Sequence, residues 1–262
     1  MTATSIHPSS VVDKAARLGV GVTVGPFCLI GPEVTLGDGV IVKSHAVVTG
    51  WTDIGAGSVI FPHATVGEVP QDLKYRGERT RLVIGERNRI REGATLNTGT
   101  EGGGGITRVG HDNLFMTGAH VGHDAVVGDR VVVANGAAIA GHAQIGDDVI
   151  IGGLSGIHQW VRIGRGAIIG AVTMVTHDVI PFGLVQGPRG ELDGLNLIGM
   201  KRRGMDRAAI AALRHAYEAL APGEGSFLDR ARLLAQSPAC AEVAELTAFI
   251  LGASDRSFLT PK

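Results

Sequence analysis

From Leu18 onward an aliphatic residue returns at every sixth position: Val24, Ile30, Leu36, Val42, Val48, Ile54, Ile60 and Val66. The phase reappears at Ile84, Ile90 and Leu96. It then runs from Val109 and Phe115 through Val121, Val127, Val133, Ile139, Ile145, Ile151, Ile157, Ile163 and Ile169 to Val175. Residues six apart lie on different faces of an α-helix, and a half-buried strand alternates with period two, so neither template produces this register. Short strands joined by turns do. With one hexad per flat face and three faces per lap, eighteen residues close a triangle, and the aliphatic residues stack inside a narrow prism. About eight laps follow, at an interstrand spacing of roughly 4.8 Å. The expected class is mainly β, a parallel β-helix of hexapeptide repeats.

Two breaks in the phase predict loops. Between Val66 and Ile84 the in-phase positions are Asp72 and Glu78, and so thin a core cannot bury unpaired carboxylates cheaply; residues 68–81 are therefore expected to leave the prism. Between Leu96 and Val109 the run Glu101 to Gly105 supplies the slack for a second, flexible loop. Beyond Val175 the repeat stops, and Pro181, Gly183, Gly187 and Pro188 read as a linker. Helical spacing then takes over at Ile210, Leu213, Tyr217 and Leu220, after a cap at Asp206. Further helices are expected around Phe227 to Leu234 and Cys240 to Leu251. The resulting division is a β-helix over 1–189 and a small C-terminal α-helical domain over 190–262, covering one end of the prism and shielding its edge strands.

Composition agrees with a repetitive all-β body. The chain of 262 residues holds 40 Gly but only 2 Trp and 2 Tyr, as expected where tight turns recur and thin strands need small fillers. A net charge of -1 gives no general attraction to nucleic acid or anionic lipid. The two cysteines, Cys28 and Cys240, lie far apart in sequence, and no signal-like N-terminal segment is seen, which fits a reducing, cytoplasmic setting. Charged residues or glycines interrupt every apolar run before the roughly 20 residues a bilayer span needs, so no stable membrane insertion is expected.

Candidate chemistry centres on Gly118-Ala-His-Val-Gly-His-Asp124. One lap beyond His123 stands Gly141, and one lap further Gln159. The coil geometry places the His123 imidazole and the main-chain N–H groups near Gly141 within about 5 to 7 Å, a workable pairing of base and oxyanion donor. Asp124 is placed to fix the imidazole tautomer. The bland alternative is that His120, His123, His142 and His158 are solvated corner residues.

Several stretches taken together resemble one family. Gly67-Glu-Val-Pro-Gln-Asp-Leu-Lys-Tyr75, Ile84-Gly-Glu-Arg-Asn-Arg-Ile-Arg-Glu92, His120-Val-Gly-His-Asp124, Ile157-His-Gln159 and Lys201-Arg-Arg-Gly204 are similar to segments of UDP-N-acetylglucosamine O-acyltransferases. The resemblance implies a left-handed coil and a homotrimer with active sites between subunits. It implies a 3-hydroxyacyl group delivered on acyl carrier protein to a UDP-amino sugar, as the first step of lipid A biosynthesis, with neither a metal nor another cofactor. In that picture His123 is the general base and Gly141 N–H stabilises the oxyanion, without a covalent acyl-enzyme. Asp72, Lys74, His120, His142, His158 and Gln159 match substrate-binding positions, Asn196 and Arg202 match nucleotide positions, and Ala171 matches the acyl-chain ruler. Two residues depart from the family pattern: Asn97 stands where histidine is frequent, and Ile198 where a carboxylate is common. These departures leave open a 3-amino acceptor, giving an amide. The rivals from other classes are a zinc-dependent lyase resembling the gamma-class carbonic anhydrases and a noncatalytic scaffold.

Overall fold

The computed structural model describes residues 3–262. It is a left-handed parallel β-helix closed at its C-terminal end by a hairpin and four helices. Three sheets form the faces of the prism: an eleven-stranded first face, a nine-stranded second face and an eight-stranded third face. Pairing holds the eighteen-residue register expected from the repeat, as in Ser5 with Thr23, Leu29 with Val47 and Val132 with Ile150. It starts earlier than Leu18, however. Ser5–Ile6 and Val11–Val12 are already strands, and Ile6 and Val12 are in phase. They are less buried than the later markers: Ile6 stays 44% exposed, and Val12 packs against the core only in part.

From Val22 and Val24 onward each hexad of the repeat buries two residues. The aliphatic marker is joined by a smaller one two positions earlier: Cys28 before Ile30, Ala46 before Val48, Ala64 before Val66, Ala119 before Val121 and Ala137 before Ile139, all at most 2% exposed. Small fillers at these sites let the three faces approach closely. Where the earlier position is polar, its hydrogen bonds run along the prism axis. Asn88 Nδ2 donates to Gly85 O and Gly110 O at 2.8 Å, its Oδ1 accepts from Asn113 N, and Asn113 Oδ1 accepts from Val131 N. Many corners need a left-handed residue, and thirteen of these in the described chain are not glycine; Asp124, His142 and Trp160 are among them, at φ 59, 62 and 67. Asp and His are enriched in this conformation.

Both loops occur where the phase breaks. Across the first, Val59 pairs with Arg89, thirty residues on instead of eighteen; across the second, Arg89 pairs with Leu114, twenty-five on. Asp72 and Glu78 lie outside the prism, as the cost of burying them requires. The second loop is not slack. Thr100 caps a 3-10 turn over Glu101–Gly103, accepting from Gly103 N and bonding Gly105 N through its carbonyl at 2.7 Å.

The linker expected at 181–188 is instead part of a hairpin. Gly183–Gln186 adds to the first face in parallel, and Glu191–Leu195 returns antiparallel beside it, so the 189/190 division falls inside its turn. Pro188 and Gly187 mark that turn rather than a hinge. Helix α1 (Leu197–Arg202) follows, capped by Asn196, then α2 (Arg207–Leu220) capped by Asp206, α3 (Phe227–Gln236) and α4 (Ala241–Leu251). Met200, Leu213 and Leu220 join the prism's apolar core. The segment after α4 is fastened by buried Asp178, whose carboxylate accepts from Arg162 Nε at 2.7 Å and Ser254 Oγ at 2.6 Å.

Phe115 and Phe182 are the largest fully buried side chains. A Phe115→Ala variant is expected to lose about 3 to 5 kcal/mol through lost burial and a cavity the flanking laps cannot close. Thermal or denaturant unfolding would show a correspondingly lower midpoint.

Candidate functional site

The chain turns from the second to the third face just after Val121, Ile139 and Ile157. Successive laps place His123, Gly141 and Gln159 in one column at this corner, with Asp124, His142 and Trp160 in the column beside it. Both loops leave from this same corner, the first between Glu68 and Arg81 and the second between Asn97 and Ile106. Register and loop placement therefore converge on one edge of the prism.

The corner holds a buried dyad. His123 Nδ1 donates to Asp124 Oδ2 at 2.8 Å, and both residues are under 10% exposed. Thr100 donates twice to the same carboxylate, from its N–H to Oδ1 at 2.8 Å and from its hydroxyl to Oδ2 at 2.6 Å. The Asp124 N–H is held by Thr107 Oγ1 at 2.7 Å. With Nδ1 carrying the proton, the lone pair on His123 Nε2 is free to accept one.

Gly141 lies directly against this imidazole. A Cβ at position 141 would come within 2.6 Å of His123 Cε1 and 2.7 Å of Nε2, so only glycine admits the ring. The Gly141 N–H makes no hydrogen bond with any described residue, whereas its neighbours Ala140 N and His142 N are bonded to Ile157 O and His123 O. His123 and the unbonded Gly141 N–H open onto one cavity of about 270 Å3, shared with His120, Asn97 and Gln159. A second cavity of about 240 Å3 joins Asp72 and Lys74 of the first loop to His142 and Trp160. His142 stacks flat on Trp160, with ring centroids 3.9 Å apart, and meets His123 edge-on at 4.9 Å.

Burial sets the charge of the flanking histidines. His120 is held below the usual imidazole range, first by burial and then by the charge His123 would carry; its Nδ1 bonds Thr95 Oγ1 at 2.8 Å. His142 is lowered by burial, which outweighs the opposing pull of Asp124; His123 and Lys74 lower it further and Asp72 raises it. Both shifts favour uncharged rings beside His123.

The remaining sequence-derived positions divide. Asp72, Lys74, His120, His142 and Gln159 gather at the corner. His158 lines neither cavity; its Nδ1 accepts from Arg256 Nη2 at 2.8 Å. Asn196 uses its side chain within the fold, Oδ1 accepting from Gly199 N and Nδ2 donating to Gly166 O, both at 2.9 Å. Gly166 lies between the third and first faces, so Asn196 sits at a different corner from His123 in the same chain, and Arg202 follows it, exposed, on α1. Ala171 is exposed at the turn between the first and second faces. Asn97 Nδ2 donates to Val69 O at 2.8 Å and Glu68 O at 3.2 Å, tying down the first loop, while Ile198 is exposed on α1. Sequence reasoning missed Trp160 and Thr100. Trp160 was within reach, one lap beyond His142; Thr100 lies on a loop outside the register.

His123, Asp124 and His142 each bring a possible metal-ligand atom within 4.8 Å of the others. The Asp124 oxygens already accept three hydrogen bonds and His123 Nδ1 is donated to one of them, so an ion there would have to break the dyad.

The family profile described as Udp N-acetylglucosamine O-acyltransferase, Domain 2, matches residues 178–259. An acyl-[acyl-carrier-protein]--UDP-N-acetylglucosamine O-acyltransferase of Paracoccus denitrificans is 65% identical over 76% of this chain and 75% of its own length. One of Rhizobium johnstonii is 46% identical over 98% of this chain and 94% of its own. The chain belongs to the UDP-N-acetylglucosamine O-acyltransferase family. A solved UDP-N-acetylglucosamine acyltransferase superposes with a TM-score of 0.94 at 39% identity, covering 98% of this chain and 99% of that one. Membership of this acyltransferase family displaces the zinc-lyase and scaffold readings, and the O-acyl names of these relatives favour a hydroxyl over an amine as acceptor. No helix among the described residues is long and apolar enough to cross a membrane.

Lowering of the His120 pKa has a measurable sign. Unfolded, the ring titrates near 6.5; folded, it titrates lower. As pH falls through that window the unfolded chain takes up the proton first, so the stability held by the neutral ring is complete above about pH 6.5 and is lost on acidification. Thermal midpoints measured between pH 7.5 and 5 are expected to fall less steeply in His120→Gln than in the native protein. Parallel slopes would exclude His120 from the effect.

Proposed function

We propose that the protein transfers a 3-hydroxyacyl chain from acyl carrier protein to the 3-hydroxyl of UDP-N-acetylglucosamine, the reaction that opens lipid A synthesis, and that it does so in the cytoplasm. The observation that carries this reading is the contact between the His123 imidazole and Gly141, whose N–H is unused. His123 Nε2 takes the proton of the sugar hydroxyl as its oxygen attacks the thioester carbonyl. Negative charge gathers on the carbonyl oxygen and is met by the Gly141 N–H. Collapse expels the pantetheine thiolate, which recovers the proton from His123, leaving an ester and a free thiol with no acyl-enzyme. Asp124 stabilises the imidazolium between these steps. No metal or other cofactor enters the scheme.

Substrate contacts follow the two cavities. Asp72 and Lys74 reach over His142, and His120 and Gln159 border the base. Asn196 and Arg202 are too far round the prism to serve the same chain's corner, which supports a homotrimer in which a neighbouring subunit supplies the nucleotide contacts and the active site lies in the seam. Arg202 suits a phosphate, since a guanidinium forks onto two oxygens. His158, turned toward Arg256, is assigned to the outer rim of the site. Above the cavity, the outward positions of the second face are Ala138 and Gly156, ending at Met174; this strip of small residues is open to an acyl chain, with Ala171 at the adjoining turn as its ruler.

An assay with acyl carrier protein thioesters of graded length against UDP-N-acetylglucosamine and its 3-amino analogue tests the reading. His123→Ala is expected to fold and to lose transfer by a factor of at least about a hundred; near-native turnover would remove His123 as the base. Ala171→Met is expected to shift preference toward shorter chains, and an unchanged length profile would dismiss the ruler.

A further inference from the structure

We infer that Thr100, on the glycine-rich second loop, is a positioning residue that sets both the orientation and the basicity of His123 through Asp124. The inference rests on the reading of His123 as general base. Its grounds are geometric. Thr100 supplies two of the three hydrogen bonds that reach the Asp124 carboxylate, at 2.8 and 2.6 Å, and the third comes from His123 itself. Hydroxyl and imidazole donate to the same oxygen, Oδ2, so the direction of one constrains the other.

The loop is shaped around that carboxylate. A Cβ at Gly99 would approach Asp124 Oδ1 to 2.7 Å, and one at Gly103 would overlap the carboxylate carbon. Gly103 has an ordinary negative φ, so its lack of a side chain answers to the neighbouring carboxylate and not to the backbone. The loop is braced from behind as well: Thr98 N–H donates to Glu68 O at 3.0 Å, and Thr98 and Thr80 hydroxyls meet at 3.1 Å in a buried contact. Gly103, which looked like slack in the sequence, is thus fitted against the carboxylate that Thr100 holds, while Gly102, Gly104 and Gly105 face open space.

Two effects follow. Without the Thr100 hydroxyl the carboxylate is free to swing, and the imidazole loses its fixed aim at the substrate hydroxyl. The carboxylate also keeps more of its charge for His123, which stabilises the imidazolium and raises the pH at which the base becomes available. The charged or titratable groups around His123 are Asp124 beside it, His120 on its own lap, His142 on the next, and Asp72 and Lys74 on the first loop near His142. Among these, Asp124 is the one that Thr100 contacts.

The test compares Thr100→Val, Thr100→Ser and Gly103→Ala in the full-length protein, with His123→Ala as reference, by steady-state transfer from an acyl carrier protein thioester to UDP-N-acetylglucosamine across pH. Thr100→Val is expected to lower kcat on the order of tenfold to a hundredfold, the scale of one hydrogen bond to a charged group. KM for the sugar should stay within about twofold, and the acidic limb of kcat/KM should move to higher pH. Thr100→Ser, which keeps the donor, should restore both, and Gly103→Ala should reproduce the valine variant by displacing the carboxylate. Native kcat and limb in Thr100→Val, or equal damage in the serine variant, overturns the inference. If the valine variant does not fold, Gly103→Ala decides on the same two readouts. A dead His123→Ala beside a normal Thr100→Val sinks only the positioning role; an active His123→Ala sinks the base assignment beneath it.

Discussion

Hydrogen bonding between laps of fixed length is the constraint on which the molecule depends. Main-chain donors and acceptors in a strand can be satisfied only by the strands above and below, so each lap must present the same path as its neighbours. Outside the two loops, every interior position is then flanked by its own equivalent eighteen residues away. The prism is too thin to absorb large errors in volume, which is why many hexads pair the aliphatic residue with a smaller one and why interior polar groups such as Asn88 and Asn113 bond along the axis.

That constraint also makes the site. A corner residue on one lap lies against its equivalents on the laps above and below, and the side chain or its absence is all that distinguishes them. His123 fits because Gly141 offers no Cβ, and His142 finds Trp160 for the same reason of register. The apolar interior contributes rigidity but no chemistry. What sets this corner apart is the pair of loops that leave it, the first carrying Asp72 and Lys74 over a cavity and the second bringing Thr100 to Asp124.

Much of this was legible in the sequence. Period six fixed the lap, and the lap alone placed His123 beside Gly141, because both lie inside the uninterrupted repeat. The charged in-phase residues Asp72 and Glu78 exposed the first loop through the cost of burying them. Legibility failed where the period lapsed. Ile6 and Val12 kept the phase, but the polar or small residues around them made too short a signal to extend the repeat. The Gly187-Pro188 turn looked like a hinge because a hairpin and a linker use the same residues. Thr100 carried no sequence signal at all: its importance comes from a fold-back of seven extra residues, which no spacing rule encodes. Asn196, matched to a nucleotide position, caps α1 in the same chain, a structural role that only the folded helix reveals.

Both insertions emerge at a corner, and the strands on either side resume their pairing, with one register shift where Glu68 pairs with Asn97. A segment lengthened or rewritten there leaves the load of stability on the faces untouched. The scaffold thereby separates the parts of the chain that must stay constant to hold it up from the parts free to drift, and new substrate preferences can accumulate in the second group without jeopardising the first.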